Sequence, residues 1–414
     1  MKSSGSSKTD VAIIGGGAAG FFAACRCAEN HPSARVSLYE KTNKVLSKVL
    51  ISGGGRCNVT HRFTNLPAFL KNYPRGSAEL RGPMANFGQP ETVAWFESRG
   101  VQLKTESDGR MFPVTDKSET IAGCLYAEAE RLGVNLILSR GVSAIRQNRE
   151  HGGGFTLELP EGTETRHTHV ILASGGSPGI RGLQWLADMG LSIVPPVPSL
   201  FTFNLPHEIN GICMLMGLGV TDAQVSIAGM KQVQRGPVLV THWGLSGPAV
   251  LKMSAFAARE LAACGYKADV MMRWVPGLTE DEIRQSLSAF RISESGKLVQ
   301  NAAAFGLPRR LWEYLAVKAG LGNVRWSEAP KAGTNKLLNL LRNDVYKMEG
   351  KTTYKEEFVT AGGIALGEID FRTMQCKKIP GLYIAGEVAD FDGITGGFNF
   401  QAAWSTAALA AELL

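Results

Sequence analysis

Residues 10–30 read DVAIIGGGAAGFFAACRCAEN, with four glycines among the six positions from Gly15 to Gly20. Val11 to Ile14 is a short, wholly apolar run, the pattern of a parallel strand buried on both faces. Gly15, Gly17 and Gly20 then satisfy G-x-G-x-x-G. The first glycine permits a tight turn, the second lets a pyrophosphate approach the main chain, and the third lets the next helix pack close to the strand. Ala18 to Glu29 supplies the small and apolar residues of that helix. Its N-terminus offers free N–H groups and the positive end of the helix dipole to phosphates.

A second strand follows, RVSLYE, and ends at Glu40, twenty residues past Gly20. That spacing suits a carboxylate that binds ribose hydroxyls. Strand, glycines, helix, strand and terminal acid together point to a dinucleotide. An ordinary βα turn would leave Glu40 unexplained. A carboxylate there also repels a 2′-phosphate, which disfavours NADP.

The far end of the chain separates a flavin from a nicotinamide. Residues 381–414 read GLYIAGEVADFDGITGGFNFQAAWSTAALAAELL. Leu382 to Ala385 reads as a strand, with Gly386 and Glu387 at its carboxyl end, where open α/β sheets bind ligands. A glycine-rich turn, Gly393 to Gly397, then leads to an alanine-rich helix from about Phe400. Such a helix stabilises the negative charge that a reduced flavin carries near N1 and C2=O. Glu387 is placed to accept a hydrogen bond from a ribityl hydroxyl. A nicotinamide dehydrogenase has no need for its last thirty residues to return to the first βα unit, whereas FAD lies extended across the sheet and requires it. HVILASGG (169–176) reads as a further buried strand, and SRGVSAI (139–145) as the start of another. In the latter, Val142 is placed to meet the adenine through main-chain groups.

Bulk properties narrow the field. The 414 residues are 44% hydrophobic and 20% charged, which suits two or three globular domains. The formal charge is +7, but no Lys/Arg run exceeds two residues, so nucleic-acid binding is not expected from charge alone. The seven cysteines (25, 27, 57, 124, 213, 264 and 376) form no CxxC pair and read as free thiols of a reducing cytoplasm. MKSSGSSKTD lacks the apolar core of a signal peptide, and no 18-residue apolar stretch suggests a membrane span.

KVLISGGGRCNVTH (48–61), THWGLSGPAVLKMS (241–254) and TAGGIALGEID (360–370) resemble the BaiN/YhiN-like family of FAD-dependent oxidoreductases. Some members of that family are labelled aminoacetone oxidase family flavoproteins or bile-acid-type reductases. The resemblance covers nearly the whole chain. It implies bound FAD and a Rossmann-like, two-dinucleotide-binding-domain flavoprotein interrupted by a β-barrel-like domain and a small helical insert. Carried onto this chain, it implies pyrophosphate contacts at Gly15, Gly17, Ala19 and Gly20, and the adenosine ribose at Glu40 and Lys41. Ser52, Gly54, Arg56, Cys57 and Asn58 would lie along the cofactor, with Val142 at the adenine. Gly386, Glu387, Gly397, Phe398 and Asn399 would flank the ribityl chain and the flavin. The residues themselves agree: the three glycines of SGGGRCN expose backbone N–H groups, and Arg56 adds a positive charge.

Other candidates carry less. Cys57 adjoins Arg56, whose charge is expected to lower the thiol pKa; the plainer reading is a small residue fitted beside the cofactor. Cys25 and Cys27 are expected to fill core. His167 and His169 alternate as on one strand face, but with no third ligand no metal centre is expected. GLSGP (244–248) resembles a nucleophile elbow, yet Pro248 replaces its last glycine, so it reads as a turn into a helix. His242 and Trp243 are candidates for the wall of a substrate cavity, or for packing between domains. No general acid or base stands out, and flavin chemistry does not require one.

The prolines of SIVPPVPSL (192–200) mark a boundary, and AQVSIAGMKQVQRGPVLVTH (223–242) reads as strands. From Thr279 to about Leu341 the pattern turns helical, in TEDEIRQSLSAF, PRRLWEYLAVKAG and NKLLNLLRNDVYKM, with Pro308 at an N1-like place. The expected domains are 1–195 and 356–414 for FAD, 196–278 with 342–355 for the β-rich insertion, and 279–341 for the helical insert. No second complete G-x-G-x-x-G appears, so any NADH or NADPH docks transiently. The expected activity is hydride transfer between flavin N5 and a small organic molecule. The alternatives are a flavin-dependent RNA-modifying enzyme and a non-catalytic flavin sensor.

Overall fold

The apolar run before the glycines forms the strand Asp10–Ile14, parallel to Arg35–Tyr39 on one side and His169–Leu172 on the other. The computed structural model that shows this describes residues 9–148, 153–353 and 359–413. Val11, Ala12 and Ile13 are fully buried, as a strand covered on both faces requires. Asn135–Ile137 extends the parallel sheet beyond Arg35–Tyr39, and Leu382–Ile384 extends it beyond His169–Leu172. Two short antiparallel strands, Gln375–Cys376 and Ile369–Asp370, finish that edge. The two ends of the chain therefore meet in one sheet. Helix Ala18–Asn30 follows the first strand and packs on helix Phe398–Ala410 through Phe22 and Trp404, ring centroids 5.3 Å apart.

The chain divides into two compact units, residues 1–198 with 355–414, and residues 199–354. The proline-rich segment is the strand Ile193–Ser199, in a two-stranded sheet with Val359–Ile364. A sheet of only two strands tolerates the missing proline donors.

The second unit holds a seven-stranded sheet. Its edge strands, Asp344–Met348 and Gly350–Thr352, are consecutive in sequence, so one passage of chain closes the sheet on itself. At the junction the N–H of Glu349 donates to the Asn204 carbonyl at 3.0 Å. Helices Glu280–Ser293, Arg309–Lys318 and Lys331–Arg342 share one continuous hydrophobic core with this sheet. Thr279 caps the first of them in a reciprocal capping box with Glu282.

Several local expectations change. Pro308 occupies the N-cap position rather than N1. NDVYKM, quoted with the helical pattern but falling in the 342–355 stretch expected in the β-rich insertion, is the strand Asp344–Met348: Asp344, Tyr346 and Met348 are buried while Val345 and Lys347 are exposed, the two-residue period of a strand. The C-terminal helix begins at Phe398 rather than Phe400. SRGVSAI forms strand only from Ala144, where Ala144–Gln147 pairs antiparallel with Phe155–Glu158, and Ser139 adopts a left-handed φ of 55°. His167 and His169 do not share a strand face: one ends Glu164–His167, the other begins His169–Leu172. His167 lies 2.7 Å from Asp10 Oδ1 and 3.0 Å from the Tyr39 hydroxyl, and its burial lowers its pKa. Cys25 and Cys27 fill core, both fully buried. GLSGP is a turn into a helix: strand Gly244–Ser246 leads to helix Pro248–Phe256, and the buried Ser246 hydroxyl accepts from Thr202 at 2.9 Å. Among the described residues no helix is long and apolar enough to cross a membrane, and no cluster of His, Cys, Asp and Glu is arranged for a metal.

Candidate functional site

In the first unit, the glycines of the first turn divide by what surrounds them. A Cβ at Gly15, whose φ is +115°, would lie 2.3 Å from the Ala173 carbonyl oxygen, and one at Gly20 would lie 1.8 Å from that of Gly15. Those two glycines close the turn and seat the helix on the strand. A Cβ at Gly17 would meet nothing within 4 Å. Gly17 is the N-cap of helix Ala18–Asn30, and no side chain caps that helix. Its first-turn N–H groups therefore have no intrahelical partner, and the space beside Gly17 is open.

Glu40 leaves the end of the second strand and binds this turn. Its Oε2 accepts from the Gly16 N–H at 2.8 Å, and its Oε1 accepts from the Thr42 N–H at 2.9 Å. Residues 139–142 run beside it, with the Arg140 N–H donating to the Glu40 carbonyl at 2.9 Å. A Cβ on Gly141 would lie 2.9 Å from the Cβ of Lys41. Residues 139–141 thus run alongside Glu40, Lys41 and Thr42, with Val142 next in the chain.

The C-terminal segment reaches the same place. A Cβ at Gly386 would lie 2.7 Å from that of Ala19, in the first turn of the first helix. Next to it, Glu387 is ion-paired with Lys48 at 2.6 Å and accepts from the Thr360 N–H at 2.9 Å. Neither Lys48 nor Thr360 stands out in the sequence, although each opens one of the family-like stretches. Their role depends on a carboxylate more than three hundred residues from Lys48 (|i−j| = 339).

A second group forms around SGGGRCN. Ser52 leaves the helical conformation with ψ 149°, and Gly53, Gly54, Gly55 and Cys57 all take positive φ. Gly54 is exposed, and a Cβ there would meet nothing within 4 Å. Arg56 does not hold its charge free: it pairs with Glu106 at 2.7 Å and Asp116 at 3.4 Å, and lies over the Phe112 ring. Nor does it activate Cys57. That thiol is fully buried, and burial pushes its pKa up to about 12, which corrects the expected lowering. Cys57 is a buried thiol with its N–H on the Ser52 carbonyl at 3.0 Å, not a thiolate.

The glycine turn before the last helix packs on this group. A Cβ at Gly397, φ +94°, would lie 2.5 Å from the Thr60 carbonyl oxygen and 2.9 Å from Asn58 Oδ1. Asn399 clasps Gly393 twice, accepting from its N–H at 2.8 Å and donating to its carbonyl at 2.9 Å. Phe398 stacks on His61, centroids 4.6 Å apart, and His61 Nδ1 lies 3.0 Å from the Gly396 carbonyl. Gly397 is the N-cap of helix Phe398–Ala410, again without a side-chain cap. Two helix N-termini without side-chain caps, each preceded by a glycine turn and carried on helices packed together, thus occupy the first unit; the first turn is open at Gly17 and the second is closely packed.

His242 and Trp243 belong to the second unit. Both are exposed, and His242 lies between His207 and Trp243, with centroids 4.9 and 5.0 Å away.

A family model described as the HI0933-like protein Rossmann domain matches residues 9–413. The chain belongs to that family. It is 30% identical to the ribosomal RNA dihydrouridine synthase of Escherichia coli, over 96% of each chain. It is 27% identical to the 3-dehydro-bile acid delta(4,6)-reductase of Clostridium scindens, over 97% of each chain. Among solved structures, the 3-ketosteroid delta1-dehydrogenase of Sterolibacterium denitrificans shares its fold, with TM-score 0.52 at 13% identity over 97% of this chain and 98% of that one. The protein is an FAD-dependent oxidoreductase. Its residues fit FAD: the glycines that a Cβ would jam close the turns, and Gly17, left open, sits at a helix N-terminus that no side chain caps.

Proposed function

We propose that this protein reduces a carbon–carbon double bond conjugated to a carbonyl, and that the bond lies in a uracil ring of ribosomal RNA. The observation that carries this reading is the match to a ribosomal RNA dihydrouridine synthase across 96% of both chains. The bile-acid reductase, matched over a similar length, names chemistry of the same kind. Dihydrouridine is uridine with its 5,6 bond reduced, and that bond is conjugated to the C4 carbonyl. A 3-dehydro-Δ4,6 steroid has its double bonds conjugated to the C3 carbonyl. In both, a hydride adds to the carbon remote from the carbonyl and a proton completes the reduction.

Bound FAD supplies hydride chemistry at N5, with a reduced nicotinamide as the donor of the electron pair. The chain supplies position and charge. Gly15, Gly17, Ala19 and Gly20 offer the first helix N-terminus to the pyrophosphate. Glu40 and Lys41 lie at the adenosine ribose, and Val142 at the adenine. Ser52, Gly54, Arg56, Cys57 and Asn58 line the cofactor's length. Gly386 and Glu387 meet the ribityl chain, where Lys48 and Thr360 hold the carboxylate in place. Gly397, Phe398 and Asn399 present the second helix N-terminus, whose dipole favours negative charge beside it. His242 and Trp243 offer exposed rings on which a base can stack.

The test begins with the absorbance spectrum of the purified protein and anaerobic mixing with NADH and NADPH. The reduced enzyme is then incubated with ribosomal RNA transcribed in vitro, and the digest is analysed for dihydrouridine by mass spectrometry. Flavin bands, bleaching by a nicotinamide and new dihydrouridine are expected. A flavin-loaded, reducible enzyme that reduces a free Δ4,6-dienone but forms no dihydrouridine would overturn the RNA reading and leave the enone chemistry.

A further inference from the structure

Helices Glu280–Ser293 and Lys331–Arg342 of the second unit enclose a groove of about 270 Å³. Arg284, Ser288 and Arg291 line one wall at positions i, i+4 and i+7 of the first helix. Lys331, Thr334 and Asn335 line the other at i, i+3 and i+4. Each helix thus turns one polar stripe to the groove. These stripes carry three cations, two hydroxyls and an amide, and no acid lines the groove.

The charges are only partly compensated. Arg284 pairs with Glu280 at 2.7 Å and donates to Asn335 Oδ1 at 3.2 Å, which leaves the Asn335 amide N–H₂ as a donor. Glu280 also serves Arg342. Arg291 donates to the Ser327 carbonyl at 3.2 Å. Among the described residues neither Arg291 nor Lys331 has a carboxylate partner. Glu328, exposed on the connecting segment, is not among the lining residues. Trp326, which also lines the groove, is 1% exposed, and its buried indole N–H has no acceptor among the described residues. No side chain caps helix Lys331–Arg342. The Ser288 and Thr334 hydroxyls donate to the Arg284 and Pro330 carbonyls at 2.9 and 3.2 Å, so the donors left to the groove are its three cations and the Asn335 amide, and with no carboxylate in its walls it is the complement of an anion.

We propose that this groove is an RNA-binding subsite that holds a backbone phosphate of the substrate away from the modified base. The proposal rests on the RNA reading above and adds where the backbone is gripped. Phosphate contacts position an RNA without reading its sequence, so the groove sets affinity and register.

The test measures binding of fluorescent oligouridylate and of a ribosomal RNA transcript to the FAD-loaded full chain across a salt series. Arg291→Ala/Lys331→Ala is compared with Lys71→Ala/Lys231→Ala, two exposed cations outside the groove, so that the net charge change is equal. The groove pair is expected to weaken binding about tenfold or more and to flatten the salt slope by about 0.7–0.9, the loss of one neutralised phosphate. The control pair is expected to stay within about twofold of wild type. Flavin content and reduction by nicotinamide report that each variant is folded and are expected to be unchanged. Equal losses in both pairs, or unchanged binding in the groove pair, would overturn the subsite while wild-type dihydrouridine formation kept the RNA reading intact. Wild-type enzyme that neither binds nor modifies RNA would overturn both.

Discussion

Gly17→Ala and Gly20→Ala introduce the same methyl group three residues apart, and the structure assigns them opposite consequences. At Gly20 the new Cβ would lie 1.8 Å from the Gly15 carbonyl oxygen, an approach no rotamer relieves because both partners are main chain. The helix must move off the strand, and overpacking of this kind costs about 1–3 kcal/mol or more. At Gly17 the Cβ meets nothing within 4 Å, and φ −89° and ψ −168° are open to any residue. A lower unfolded-state entropy stabilises by about 0.4–1 kcal/mol, and alanine is a poorer N-cap than glycine by a similar amount. The two nearly cancel, so apo stability is expected to stay within about 1 kcal/mol of wild type. The same methyl fills the space beside the uncapped helix N-terminus. Loss of one charge-assisted hydrogen bond to a phosphate there is about 1.5–3 kcal/mol, or roughly 10–100-fold in FAD affinity. The assay pairs thermal unfolding of the apoprotein with an FAD titration followed by flavin fluorescence. Gly17→Ala should lose FAD affinity without losing Tm, and Gly20→Ala should lose Tm with or without FAD. A Gly17→Ala protein that binds FAD like wild type would refute the assignment of this turn to the cofactor.

Glu40→Ala removes the acceptor for the Gly16 and Thr42 N–H groups and should release FAD on dialysis, with Glu40→Gln intermediate; full occupancy after dialysis would count against the ribose assignment. Glu128 is buried between Arg131 and Arg99, and its hydrogen bond from Arg131, with Arg99 beside it, holds its pKa at about 2. Because the folded-state pKa lies below the unfolded value, its stabilisation is present above about pH 4.5 and is lost as pH falls toward 2. The Tm gap between wild type and Glu128→Gln should therefore be full at pH 6 and shrink below about pH 4.5; a gap independent of pH would contradict the pairing. Burial keeps the thiols of Cys27 and Cys57 protonated, each pushed up to about 12, while Cys264 is exposed. Iodoacetamide at neutral pH should label Cys264 in the native enzyme and leave Cys57 unmodified until unfolding, as peptide mapping would show.

Local sequence carried much of the first unit. The apolar run, the glycine spacing and Glu40 specify a βα turn because each acts within about thirty residues, through steric rules and helix-end chemistry that hold in any context. The Thr279 capping box and the period-2 burial of Asp344–Met348 were equally local, although NDVYKM was masked by the helical stretch before it. What Arg56 and Cys57 do was not legible: adjacency suggested that one activates the other, whereas Glu106 and Asp116 engage the guanidinium and burial keeps the thiol neutral. Lys48 was equally silent, since nothing near it in sequence hints at Glu387.

By itself, then, the sequence determined the strand–turn–helix units and the glycines whose missing side chains those units require, because dihedral preference and hydrophobic period are properties of short segments. Only the tertiary structure decided which charges meet, which thiol is buried and which glycines face open space. Those depend on segments hundreds of residues apart that the parallel sheet brings side by side, and both desolvation and Coulomb attraction are set by distance in space rather than along the chain.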